Sequence, residues 1–203
     1  MLTSVALRDG VQRRRTQEDQ LNMRSMLSEG DLVSSDVHSF HHDGGIVLHA
    51  RSLKYGKLSN GCLVKVPPSL VPRQQHHFVS LPCQVDAVLG NNGFVWLTAT
   101  LPADGSRSAV DVTVHEQAEV GVVAAVEARK AAAAARVIES DSRMSIARVR
   151  NCVLALAQAS VTITPLTIMA AFKASEDMQL APKDLLEPAT ALEVVEAARP
   201  AFA

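Results

Sequence analysis

Val85-Asp86-Ala87-Val88-Leu89-Gly90-Asn91-Asn92-Gly93-Phe94-Val95-Trp96-Leu97-Thr98 is the stretch on which the reading of the fold turns. Two apolar, β-prone runs flank four residues of types that tolerate positive φ. The segment therefore predicts strands over Val85 to Leu89 and Phe94 to Thr98, closed as a hairpin. Just upstream, Gly61 to Val66 reads as another strand, cut by Pro67 and Pro68, which cannot donate to a ladder. A second domain is expected to begin in this neighbourhood, with 1–58 as the first domain and 59–203 as the second.

Working outward toward the start, Leu2 to Leu7 alternates weakly like a strand before a turn at Arg8-Asp9-Gly10. Thr16 reads as an N-cap with Asp19 three residues on, and Gln17 to Ser28 reads as a short helix stopped at Gly30. Leu32 to Phe40 and Ile46 to Arg51 are strand-like, joined by His41-His42-Asp43-Gly44-Gly45 as an antiparallel pair. Toward the other end, residues 101–140 turn from Pro, Asp, Gly and Ser to an Ala-rich stretch that reads as an insertion. Asp141-Ser142 is the expected N-cap of a helix whose Ile146, Val149, Val153 and Leu156 share a face, ending near Ser160. Thr164-Pro165 opens a second helix, and a third is expected over Ala189 to Arg199. Strands first and helices last predict an α+β architecture.

The 203 residues are 47% apolar and 20% charged, with a formal net charge of −1. Residues 1–80 hold ten Lys and Arg against seven Asp and Glu, whereas residues 81–203 hold ten against fourteen, so the first part is the expected anion-facing one. The Ala-rich stretch is broken by Glu127, Arg129, Lys130 and Arg136, and no run predicts a membrane helix. The first ten residues lack the basic and apolar regions of a secretory signal. Cys62, Cys83 and Cys152 are odd in number and far apart, which does not predict a disulfide framework.

His41, His42, His49, His76 and His77 invite a metal reading, but none falls at a spacing that places two ligands on one face, and no metal is expected. The neighbouring carboxylates Glu18-Asp19 and Glu176-Asp177 diverge on a helix and read as solvated or capping residues. No nucleophile elbow, Walker loop or dinucleotide fingerprint is present, so no catalytic residue and no cofactor is expected. Arg13-Arg14-Arg15 is the densest positive cluster and suits phosphate contact, the alternative being a solvated loop. Lys54 and Lys57 flank Tyr55, an arrangement that holds RNA or packs at a junction. Gly90-Asn91-Asn92-Gly93 matches the GxxG that clamps nucleic acid in KH domains, but there the loop joins helices. Between strands it is first a turn. Seven aromatic residues in the whole chain leave little for broad base stacking.

Taken in order, several stretches resemble one family: Arg13-Arg14-Arg15 through Met26-Leu27, Glu29-Gly30-Asp31-Leu32-Val33, Arg51-Ser52-Leu53-Lys54-Tyr55-Gly56-Lys57-Leu58, Pro68-Ser69-Leu70-Val71 with His77-Phe78, and Leu89 to Trp96. The chain is similar to the S1/KH cap subunits of the eukaryotic RNA exosome, the ribosomal RNA-processing protein 4 family. Resemblance is dense over residues 8–98 and thinner over 141–203, where Arg148 to Leu156 still fits a KH helix. It implies a partial OB-type S1 barrel, with Met1 inside it as in an N-terminally truncated member, followed by an atypical KH domain. It also implies a non-catalytic role, binding single-stranded RNA and guiding it into a ring of RNase PH-like subunits, beside other cap subunits and away from membranes, in nucleus, nucleolus and cytoplasm. By the same resemblance Arg13, Arg14, Arg15, Lys54 and Lys57 face RNA, Leu53, Tyr55 and Leu58 face the assembly, and Gly90, Asn91, Asn92 and Gly93 form a structural turn. The alternatives are a free-standing OB/KH RNA-binding module, a paralogous cap subunit, or a nuclease in its own right.

Overall fold

Residues 2–5, 27–50, 55–100 and 134–201 are described by the computed structural model of the chain. They gather into two compact units: the described residues up to Asn60 together with 134–136 make one, and those from Gly61 to 100 together with those from Val137 onward make the other. In the first unit, β1 (Leu2–Val5), β4 (Ile46–Ala50) and β3 (Asp36–Phe40) form a sheet in the order β1-β4-β3, while β2 (Val33–Ser34) pairs with β5 (Gly56–Lys57).

The single strand expected over Leu32 to Phe40 is thus two, broken at Ser35, because its halves pair with different partners. The β3–β4 hairpin is antiparallel as expected, closed by His41 N–H to Gly45 O at 2.7 Å and by Gly44 at φ +82°, a conformation available to glycine at little cost. The parallel pairing of β1 with β4, Leu2 opposite Leu48, joins residues more than forty positions apart and has no local signature in the sequence. The expected turn at Arg8-Asp9-Gly10 and all but the end of the helix expected over Gln17 to Ser28 lie outside the described residues, as does most of the Ala-rich stretch.

The second unit is a four-stranded antiparallel sheet in the order β6-β9-β8-β7, built from β6 (Gly61–Lys65), β7 (Phe78–Leu81), β8 (Val85–Leu89) and β9 (Phe94–Ala99). Three helices follow: α1 (Ser140–Gln158), α2 (Pro165–Asp177) and α3 (Pro188–Ala198). The β8–β9 register, Leu89 opposite Val95 and Ala87 opposite Leu97, turns Val85, Ala87, Leu89, Val95 and Leu97 to one core with the apolar faces of the helices. Ile146, Val149, Val153 and Leu156 of α1 are all buried, matching their expected shared face. Each fully buried Leu, Ile or Val contributes about 1.5–3 kcal/mol relative to exposure, so this layer of side chains holds the unit together.

Two expectations are corrected here. Helix α1 starts at Ser140 with Glu139 in the N-cap position and no side-chain cap bond, so Asp141 acts in the first turn through the helix dipole. Strand β7 is an addition to the expected elements, since Phe78-Val79-Ser80-Leu81 is too short to stand out without its pairing to β8. Helix α2 starts where expected, with Pro165 at the first position and Thr164 forming a reciprocal capping box with Thr167. The α+β class holds. Among the described residues, no helix is long and apolar enough to cross a membrane.

Candidate nucleic-acid interface

In the first unit the sequence motifs come together by backbone pairing. Leu58 N–H donates to Leu32 O at 2.8 Å, and Val33 lies opposite Lys57, so the segment starting at Glu29 is stitched to the one ending at Leu58. Lys57 Nζ sits 2.8 Å from Asp31 Oδ2, which also accepts the Ser28 N–H at 2.9 Å. The Lys57 bond first, and the Ser28 amide second, hold the Asp31 carboxyl below its ordinary range. The Lys57 cation is half exposed and shared with this carboxylate, which leaves it able to meet an anion while weakening its field.

Tyr55 is half-buried, and its hydroxyl donates to Asp36 Oδ1 at 2.6 Å. Burial, and then Asp36, push the phenol well above its usual titration range, so it remains a neutral donor. The ring expected at an interface therefore has its polar end bonded within its own unit. Arg13, Arg14, Arg15, Leu53 and Lys54 lie outside the described residues.

A surface that the motifs do not single out stands on β3 and β4. All five β3 residues are exposed, Phe40 by 73%, and the His38 and His49 rings stack with centroids 3.9 Å apart and planes within 14°. Flat rings held open to solvent on a strand are surfaces on which an unpaired base can stack. The sequence points to His49 only as a metal candidate and to His38 not at all, since their stacking arises where the β3–β4 register is irregular between Val37 and Ser39, which simple alternation along Asp36 to Phe40 does not foretell. Stacked imidazoles direct their ring lone pairs side by side instead of at one point, and among the described residues no group of three or more His, Cys, Asp or Glu could hold a metal.

The four residues from Gly90 form a closed turn. Gly93 N–H donates to Gly90 O, Gly90 N–H to Phe94 O, both at 2.9 Å, and Phe94 N–H to Asn92 Oδ1 at 3.1 Å. These amides are engaged inside the turn, so they are not available to cradle a phosphate. Gly93 stands at φ +81°, and a Cβ there would collide with the Val66 carbonyl oxygen, whose residue is tied to Gly93 by Val66 N–H to Gly93 O at 2.8 Å. His77 completes the anchor: its Nδ1 lies 2.7 Å from Leu89 O.

Comparison with known proteins follows the same division. Residues 1–39 match the family model described as "RRP4, S1 domain", and residues 61–103 match one described as "KH domain". The chain is 39% identical over 196 residues to the exosome complex component RRP4 of Bos taurus, covering 96% of this chain and 59% of that protein. It is 36% identical over 190 residues to the Saccharomyces cerevisiae exosome complex component RRP4, covering 86% and 53% respectively. Against the Arabidopsis thaliana exosome complex component RRP4 homolog it is 34% identical over 187 residues, covering 92% and 56%. The chain thus spans somewhat more than half the length of the curated relatives it matches.

Proposed function

We infer the function of this chain from the family with which it aligns almost from end to end, the RRP4 exosome components: it is a non-catalytic, RNA-binding cap subunit that guides single-stranded RNA into the ring for 3′-to-5′ processing and decay. The observation that carries this reading is the order of the two matched segments, an RRP4-type S1 domain at 1–39 and a KH domain at 61–103, inside one continuous alignment. A free-standing module would share the domain types without the alignment running on to the last helices.

Within that role, residues 1–58 serve as the S1 part and 59–203 as the KH part. Arg13, Arg14, Arg15, Lys54 and Lys57 contact the phosphate backbone, joined by the exposed rings of His38 and Phe40 and the half-buried ring of His49. Leu53, Tyr55 and Leu58 serve the assembly, whose other members are RNase PH-like ring subunits and further cap subunits. Gly90 to Gly93 keep a structural part. The subunit works in nucleus and nucleolus and also in the cytoplasm. The non-catalytic reading is supported by a sequence with no nucleophile elbow, Walker loop or dinucleotide fingerprint.

Incubation of the pure chain with a fluorescent single-stranded RNA in magnesium and then in manganese tests both halves of the reading. Salt-sensitive binding with the RNA recovered at full length is expected. Shortened product that vanishes when Glu18 and Asp19 are replaced would instead make the chain a nuclease.

A further inference from the structure

Charge is unevenly spread over the second unit. Residues 142–175 contain Arg143, Arg148, Arg150 and Lys173 and no Asp or Glu, whereas residues 176–203 set six acids against two bases. The net charge of −4 carried by residues 81–203 therefore lies outside this stretch, and the field at α1 is locally positive.

The three arginines of α1 are placed differently. Arg148 turns inward, its Nη1 donating to Ser175 O and Oγ, both at 3.2 Å. Arg150 is half-buried, and its Nη1 donates to Oδ1 of Asn151 at 2.8 Å. Asn151 is 5% exposed, and its Nδ2 donates to Pro182 O at 2.6 Å. Both ends of that amide are bonded, as burial demands, and the same tie fixes where the Arg150 guanidinium sits. Arg143 is exposed. Among the described residues neither Arg143 nor Arg150 forms an ion pair, although Glu139 stands one turn before Arg143.

Arg143 and Arg150 are seven residues apart, two helical turns, which returns them to one face of α1 about 10 Å apart along its axis. Ala147 lies between them on that face and is small enough to let a ligand pass close to the helix. A guanidinium fork fits a carboxylate as well as a phosphate, so one of them alone selects neither. Two unpaired forks about 10 Å apart match the repeating charge of a phosphate backbone, whereas a single carboxylate meets only one of them. We propose that Arg143 and Arg150 make a further phosphate-contact track for single-stranded RNA on α1, in addition to the basic residues of the S1 part.

The inference rests on the RNA-binding reading above, and the test separates the two. Affinity of the full chain for a fluorescent single-stranded RNA is measured over a range of salt, and association with RNase PH-like ring and companion cap subunits is measured without RNA. Arg143→Gln with Arg150→Gln is expected to weaken RNA binding about tenfold, with association and melting temperature near those of the wild type. The slope of log affinity against log salt should become shallower by about 1.4, from two lost contacts at about 0.7 each on a single strand. Lys183→Gln with Arg199→Gln removes as much charge elsewhere in the unit and should leave affinity within about twofold. Equal losses in the two pairs overturn the proposal in favour of a general field. Unchanged RNA affinity of the folded arginine pair overturns it as well, and association lost with RNA affinity intact overturns it in favour of a protein contact. Should the pair fail to fold, Arg143→Glu alone decides, since its exposed side chain holds nothing in place, and affinity equal to wild type overturns the proposal. A wild-type chain that binds no RNA overturns the RNA-binding reading and this proposal together, whereas a wild type that binds beside an unaffected variant overturns this proposal alone.

Discussion

Gly93 occupies φ +81° against the Val66 carbonyl, a place in which any side chain meets both left-handed strain and a backbone collision. The need for such a residue is legible from the sequence, because an Asn-Asn-Gly between two β-runs calls for positive φ. Gly93→Val should lower unfolding free energy by about 1 kcal/mol or more in a denaturant titration. Asn91→Asp, at an exposed corner of the same turn, should leave stability and RNA affinity nearly unchanged. A variant that stays folded yet binds RNA about tenfold more weakly would restore the clamp reading. Cys152 is legible only in part: its helical spacing says core, but its chemistry depends on neighbours distant in sequence. Burial pushes its thiol up to about 12, against smaller opposing effects of Ser175 and Arg148. Alkylation at pH 8 should therefore miss Cys152 in the native chain and label it after unfolding, as mass spectrometry of the peptides would report. Because the thiol is raised when folded, its contribution is intact below the ordinary thiol range near pH 8.5 and declines as pH rises toward 12. The Arg150–Asn151–Pro182 chain of bonds is not legible at all, since it comes from packing thirty residues apart.

Elements are legible where their cause is local. Thr164-Pro165 marks the start of α2 because both the capping hydroxyl and the missing N–H act within one turn. Thr164→Ala should cost about 1 kcal/mol in chemical denaturation, while Ser142→Ala, at a position expected to cap α1 but lying inside it, should change stability by only a few tenths. Equal losses at the two positions would mean that the cap assignments are reversed. Elements whose cause is distant escape the sequence. The break at Ser35 exists because β2 and β3 answer to different partners, β7 is made a strand by its pairing to β8, and for β1, whose strand the alternation of Leu2 to Leu7 does suggest, it is the parallel pairing to β4 that escapes. The candidate site divides the same way. The basic and Tyr55 segments announce themselves by composition, whereas the β3–β4 rings depend on which strand lies open to solvent, a fact of tertiary structure. His38→Ala with Phe40→Ala should weaken single-stranded RNA binding by an amount that changes little with salt, since stacking is not electrostatic. Unchanged affinity in a fluorescence titration would remove these rings from the interface.

For the whole molecule, a segment matching an RRP4 S1 domain is followed by one matching a KH domain, in a chain 39% identical over 196 residues to a relative named as an exosome component. Arg13, Arg14 and Arg15 changed together to Gln should weaken binding similarly for different RNA sequences and flatten its salt dependence, with assembly intact. Tyr55→Phe removes the bond to Asp36 but keeps the ring, which makes it a gentler probe of docking than truncation. Central to the account is the claim that this chain acts as a subunit and not as an enzyme. Native mass spectrometry of the chain mixed with RNase PH-like ring subunits and companion caps, with and without a 3′-labelled single-stranded RNA, tests that claim most directly. One copy per ring, with the RNA retained at full length when the ring carries no active nuclease, is the predicted result. A chain that stays free of the ring, or that shortens the RNA by itself, would contradict it.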